Sequence, residues 1–162
     1  MLHLHLIAFG KCKEPYLREA CREYEKRLAP YCRLETVELA PAPLPEDPGP
    51  ALVAAALAKE EALALAALAA LPPRARLAAL CVEGRPLGSE QFSLWLEEAA
   101  MRGGSAALLL GSSYGMSEAL KARAELRLSL SAMTFPHQLA RVMLLEQLYR
   151  AMTIHAGGKY HK

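Results

Sequence analysis

The residue types best suited to chemistry gather near the C-terminus. Lys159-Tyr160-His161-Lys162 places an aromatic ring, an imidazole and two cations in four positions, directly after Gly157-Gly158. Most chain ends fray and carry no function, so this composition stands out. Aromatic stacking combined with cationic contact to phosphate is how single-stranded or looped RNA is gripped. Upstream, His137 and Arg141 lie one helical turn apart, as do Glu146 and Arg150, so each pair can share a helix face. Glu146 with Arg150 reads first as a structural pair, with Gln147 as a further support of the helix surface. Two arginines beside a glycine-rich cleft also suit phosphate. From position 137 onward, four Lys or Arg residues face a single Glu, whereas the formal net charge of the whole chain is only +2. The basic character is therefore local, and no strong overall field draws the chain to nucleic acid.

A second candidate is Gly111-x-Ser113-x-Gly115, which matches the nucleophile elbow of serine hydrolases in pattern. A triad would need Glu118 or Glu125 as its acid and His137 or His155 as its base. Glu118 is too near Ser113 in sequence to orient a distant imidazole, and no HGGG-type oxyanion element exists, so the hydrolase is a minor alternative. The same glycines would let a flat or charged ligand approach exposed backbone N–H groups closely. No G-x-G-x-x-G and no G-x-x-x-x-G-K-[ST] occurs, which disfavours dinucleotide and Walker-type nucleotide sites. His3 and His5 alternate on a strand, but no Cys, Asp or Glu follows at a recognisable ligand spacing, so no metal site is expected. Asp47 is the only Asp and Asn is absent, so any other essential carboxylate must be a Glu.

These groups must be positioned by one domain spanning 1–162. Hydrophobic residues make up 53% and charged residues 22%, a globular composition. Strands are expected at 2–8, 33–39, 76–82, 106–110 and 126–130, and helices at 14–28, 51–70, 89–102 and from Ser117 and Thr134 onward. Ser89, Ser117 and Thr134 read as helix caps, with Pro136 in the first turn of the last helix. Five prolines between Pro41 and Pro50 mark an exposed connector. Gly84 and Gly88 bracket the turn after the third strand. Lys59, Glu60 and Glu61 interrupt the Ala-rich helix before it could span a membrane. Cys12, Cys21, Cys32 and Cys81 form no C-x-x-C pair and no secretory leader is evident, so free thiols in the cytoplasm are expected. Alternating strands and helices predict an α/β fold with a mostly parallel sheet, whose ligand lies beyond the carboxyl ends of the strands.

The run from Leu130 to Val142, the segment Glu146-Gln147-Leu148-Tyr149-Arg150-Ala151 and the ending Tyr160-His161-Lys162 together resemble the RlmH family of SPOUT-class methyltransferases. Leu6-Ile7-Ala8-Phe9-Gly10-Lys11 and Leu80-Cys81-Val82-Glu83-Gly84-Arg85 extend the resemblance over the whole chain. It implies a C-terminal deep trefoil knot, a homodimer, and methylation of N3 of a pseudouridine in 23S rRNA on the assembled ribosome. It also implies S-adenosylmethionine as donor, held by Leu80, Cys81, Gly111, Ser112 and the segment Leu130, Ser131, Ala132, Met133, Thr134, Phe135 and Pro136. Tyr160, His161 and Arg150 are then the catalytic candidates, and His137, Arg141 and Lys159 the RNA contacts. Ser112-Ser113-Tyr114 departs from the family's usual second glycine followed by a small residue or proline. A non-catalytic RNA-binding module is the alternative to an enzyme.

Overall fold

The computed structural model describes residues 1–162. The order of elements is β1 (Leu2–Phe9), α1 (Pro15–Leu28), β2 (Cys32–Leu39), α2 (Pro50–Ala69), β3 (Arg76–Pro86), α3 (Ser89–Arg102), β4 (Ser105–Leu110), α4 (Glu118–Ala122), β5 (Leu126–Ser129) and α5 (His137–His155). All five strands are parallel, in the order β2-β1-β4-β3-β5. Burial on both faces explains why the central strand β4, Ser-Ala-Ala-Leu-Leu-Leu, lacks polar alternation.

Successive side chains of β1 point to opposite faces and fill two cores. Leu2, Leu4, Leu6 and Ala8 join Leu108, Leu144, Leu145 and Leu148 on the face covered by α1, α3 and α5, whereas Ile7 and Phe9 join Leu109, Ala64 and Leu120 beneath α2 and α4. No helix is long and apolar enough to cross a membrane. In α2, the buried positions Ala56, Glu60 and Ala64 repeat every four residues, a single narrow stripe with a carboxylate at its centre.

Three local expectations are corrected. Helix α3 is capped by Gly88, whose carbonyl accepts from Phe92 N at 3.0 Å, so Ser89 is the first helical residue. Thr134 does not cap α5. A residue before proline is disfavoured in the helical region, so Phe135 cannot start the helix, and Pro136 with ψ 139° becomes the cap. Strand β3 continues past Val82 to Pro86: Leu128 of β5 pairs with both Leu80 and Arg85, and the intervening residues bulge out. Gly84 lies inside that bulge instead of in a following turn. A Cβ there would sit 2.8 Å from the backbone of Arg127, so only glycine permits this approach.

Candidate active site

The carboxyl ends of β3, β4 and β5 open onto one cavity of about 660 Å³. The β3 bulge contributes Leu80, Cys81, Val82 and Glu83. The loop after β4 contributes Gly111, Ser112, Ser113, Tyr114 and Gly115. The segment after β5 contributes Leu130, Ser131, Met133, Thr134, Phe135 and Pro136. Ala132 is the one member of the expected donor set that points away, exposed to solvent. Volume and mixed lining suit a small organic ligand with an apolar ring and polar appendages.

The β4 loop is a tight turn. Ser112 N donates to Gly115 O at 3.0 Å and Gly115 N donates to Ser112 O at 2.9 Å, with Gly115 at φ 81°. A Cβ on Gly111 would lie 2.4 Å from Gly115 O, so the loop closes only on a bare glycine. Two of its N–H groups are thus used internally, leaving those of Ser113 and Tyr114 for a ligand. The loop is fastened from below by residues whose role the sequence did not disclose. Ser112 Oγ donates to Glu60 Oε1 at 2.6 Å, Ala42 N donates to Glu60 Oε2 at 3.3 Å, and Ser117 Oγ donates to Glu61 Oε2. The available signal was the position of Glu60, four residues from Ala56 and from Ala64 on a buried stripe. Ser117 caps α4 as expected, accepting from Leu120 N at 3.1 Å.

On the opposite wall, Ser129 Oγ lies 2.9 Å from Val82 O and 3.0 Å from Ser131 O, joining the β3 bulge to the β5 segment. Burial and the nearby Glu83 push the Cys81 thiol up, which keeps it protonated and a poor nucleophile. Lys121 is held above its ordinary value because its pairing with Glu83 and Glu118 outweighs burial; the same contact lowers Glu83. Ser113 makes no hydrogen bond to a base, and no non-glycine residue has positive φ, so the strained nucleophile of a hydrolase elbow is missing. Glu118 and Glu125 are engaged with Lys121, Arg127 and Arg76.

The C-terminal residues form a separate cluster on α5. Gly157, at φ 70°, turns the chain back, and Gly158 N donates to Thr153 O at 2.8 Å. Tyr160 packs edge-on against Tyr149 with centroids 4.8 Å apart, and its hydroxyl donates to Glu146 Oε1 at 3.1 Å. Arg150 lies over the Tyr160 ring at 4.7 Å, bonds Glu146 Oε1 at 2.6 Å, and approaches His161 Nδ1 at 3.5 Å. A guanidinium only donates, so His161 Nδ1 is the accepting nitrogen and Nε2 faces Glu90 Oε1 at 3.8 Å. Burial, then the bond to Glu146, pushes the Tyr160 phenol up to about 12. Gln147 donates to Glu146 Oε2 at 2.7 Å and accepts from Ser89 Oγ at 2.7 Å. Glu146 and Gln147 therefore support the tail. Lys159 is exposed.

Tyr160, His161 and Arg150 do not line this first cavity. Tyr160 and Arg150 bond Glu146, which with Gln147 lines a second hollow of about 460 Å³ that shares Leu130 with the first. His137 lines the first cavity. Arg141 departs from its expected place on a surface: it is buried and pairs with Glu38 at 2.8 Å, tying α5 to β2. A guanidinium so enclosed is held against Glu38 instead of standing free on the surface.

A family profile described as "Predicted SPOUT methyltransferase" matches residues 2–161. Proteins named "Ribosomal RNA large subunit methyltransferase H" from Bifidobacterium adolescentis and Clostridium acetobutylicum are 44% and 41% identical, each over 99% of this chain and 100% of the relative. One of the same name from Moorella thermoacetica is 42% identical over the full length of both. Among solved structures, a probable methyltransferase from Bordetella pertussis shares the fold with a TM-score of 0.59 at 17% identity, over 93% of this chain and 96% of that one. With one profile spanning both the cavity loops and the tail, and relatives matching from end to end, the chain belongs to the SPOUT methyltransferase family.

Proposed function

We propose that this protein transfers a methyl group from S-adenosylmethionine to N3 of a pseudouridine in large-subunit ribosomal RNA, acting as a homodimer in the cytoplasm. The carrying observation is the convergence of the β3 bulge, the β4 loop and the 130–136 segment on one cavity. Full-length relatives named as large-subunit rRNA methyltransferases support the substrate class. The family's trefoil knot belongs to the same reading, with the 130–136 segment threaded beside the other two loops.

The cavity residues fit the donor. Leu80, Leu110 and Leu130 offer apolar walls to a ring, the free N–H groups of Ser113 and Tyr114 offer donors to polar edges, and Gly111 keeps the approach clear of side chains. S-adenosylmethionine, when bound, supplies a methyl group on a sulfonium that leaves without further activation. The chain's remaining task is to orient the acceptor and accept its imide proton. Tyr160 remains a protonated phenol, so it serves as a hydrogen-bond donor and stacking surface. His161 is the nitrogen base of the tail cluster, through the Nδ1 that Arg150 frees when it turns to the RNA, while Arg150 and Lys159 favour the developing negative charge and grip phosphate. His137, on the cavity wall, contacts the RNA from the other side.

A second copy of the chain is needed because the tail does not reach its own donor cavity. Val82, Tyr114 and Met133 support this: they are apolar, exposed to 44%, 49% and 74%, and all stand on that cavity's rim. Exposed apolar residues clustered at a site mark a contact surface. Incubation with S-adenosylmethionine and unmodified large-subunit ribosomes, followed by mass analysis of the RNA, should show one added methyl on a pseudouridine. Methylation of another base, or none, would overturn the reading.

A further inference from the structure

The amino end of the sheet, remote from the donor cavity, carries a cluster that methyl transfer does not use. Strand alternation sends His3 and His5 to the face opposite Leu2, Leu4 and Leu6, and the parallel register sets Glu35 of β2 directly opposite His5. Spacing along the chain does not disclose the third group, which arrives from a neighbouring strand thirty positions away.

The three groups converge. His3 Nε2 lies 3.4 Å from Glu35 Oε2, His5 Nδ1 lies 3.7 Å from the same oxygen, and the two rings are 4.1 Å apart between centroids. All three ligand atoms lie within 4.8 Å of one another. His5 is only 6% exposed, and neither imidazole makes a hydrogen bond; the Nε2 atoms of both rings are buried without a partner. Buried polar groups without partners are rare and need a reason. A simple ion pair would satisfy one protonated imidazole against Glu35 and leave the other ring unexplained, since two charged imidazoles side by side repel.

A tetrahedral zinc ion held by His3 Nε2, His5 Nδ1 and Glu35 Oε2 would give His3 Nε2 its missing partner and let two neutral rings share one carboxylate. Ligand bonds of about 2.0–2.1 Å place neighbouring donor atoms about 3.3–3.4 Å apart, and the two imidazole nitrogens stand 3.4 and 3.7 Å from the Glu35 oxygen. Two imidazoles and one carboxylate form a donor set zinc accepts readily, with water completing the fourth position. We propose that His3, His5 and Glu35 bind one zinc ion that clamps edge strand β2 to β1. Its place at the amino ends of the strands gives it a structural role, separate from methyl transfer.

The test uses the full-length protein, stripped by a chelator and titrated with zinc chloride by calorimetry. Wild type should take up one zinc per chain and melt at a higher temperature when loaded. Glu35→Gln and His3→Gln alter partly exposed side chains and should preserve the fold. Each should weaken zinc binding by at least about tenfold and abolish the thermal shift. Cobalt in place of zinc should give the strong visible absorption of a tetrahedral site in wild type and lose it in His3→Gln. Wild type that takes up no zinc overturns the proposal, leaving a histidine–glutamate contact only. Equal uptake by wild type and both variants also overturns it, because the ion then sits on other histidines.

Discussion

Glu60 shows how a single buried carboxylate can set the shape of a ligand loop. Its two oxygens hold Ser112 and the backbone of Ala42, so α2 and the connector before it fix the β4 loop from outside the cavity. Glu60→Ala would leave the Ala42 N–H without its partner and Ser112 Oγ unanchored, a cost of about 1–3 kcal/mol. Urea unfolding should show that loss, and the KM for S-adenosylmethionine should rise more than kcat falls. In the tail, the protonated phenol makes a different forecast. Because Tyr160 titrates far above neutrality, Tyr160→Phe should lower the methylation rate without changing the shape of its pH profile between about pH 6 and 10. His161→Ala should slow turnover by about 10²–10⁴-fold, as removal of a positioned proton acceptor does. Single-turnover assays on ribosomes would separate the two.

Among the elements, the loops carry more information than the helices they join. Gly111→Ala introduces a Cβ where 2.4 Å separates it from Gly115 O, so the turn must open. The variant should fold with a loss of about 1–3 kcal/mol and bind S-adenosylmethionine weakly or not at all by calorimetry. Ser113→Ala, by contrast, should keep methyl transfer near the wild-type rate, since that hydroxyl makes no hydrogen bond, the loop offers the Ser113 backbone N–H instead, and the elbow geometry is absent. The sequence read most elements correctly because long periodic runs dominate them, as in α1 with Leu17, Cys21 and Leu28 buried. It misplaced Ser89 and Thr134 because either hydroxyl could cap a helix locally. The actual starts were decided by Gly88 and by the restriction Pro136 imposes on Phe135.

For the whole molecule, the proposed homodimer would bring the tail of one copy to the donor cavity of the other. Deleting Tyr160 to Lys162 removes the packing on Tyr149 and the Tyr160 bond to Glu146, yet removes no residue of either hydrophobic core. The truncated protein should melt cooperatively near the wild-type temperature and dimerise, but methylate nothing. Mixing it with a variant altered only in the donor cavity, such as Gly111→Ala, should restore part of the activity through mixed dimers. The modest net charge of +2 adds a further expectation: turnover on an isolated RNA hairpin should fall far below that on ribosomes, where an assembled surface supplies contacts the chain lacks.

Composition, periodicity and the spacing of tail, glycine loop and last helix determined the α/β class, the strand and helix sequence, and the three loops bearing the donor-site candidates. Those features are local, repeating every two or about four residues along the chain. Tertiary structure decided what adjacency in space alone can set. Parallel register carried Glu35 to His3 and His5, the packing of α2 brought Glu60 beneath Ser112, and the docking of α5 buried Arg141 against Glu38. Each partner lies on a different element, so no spacing along the chain encodes the contact.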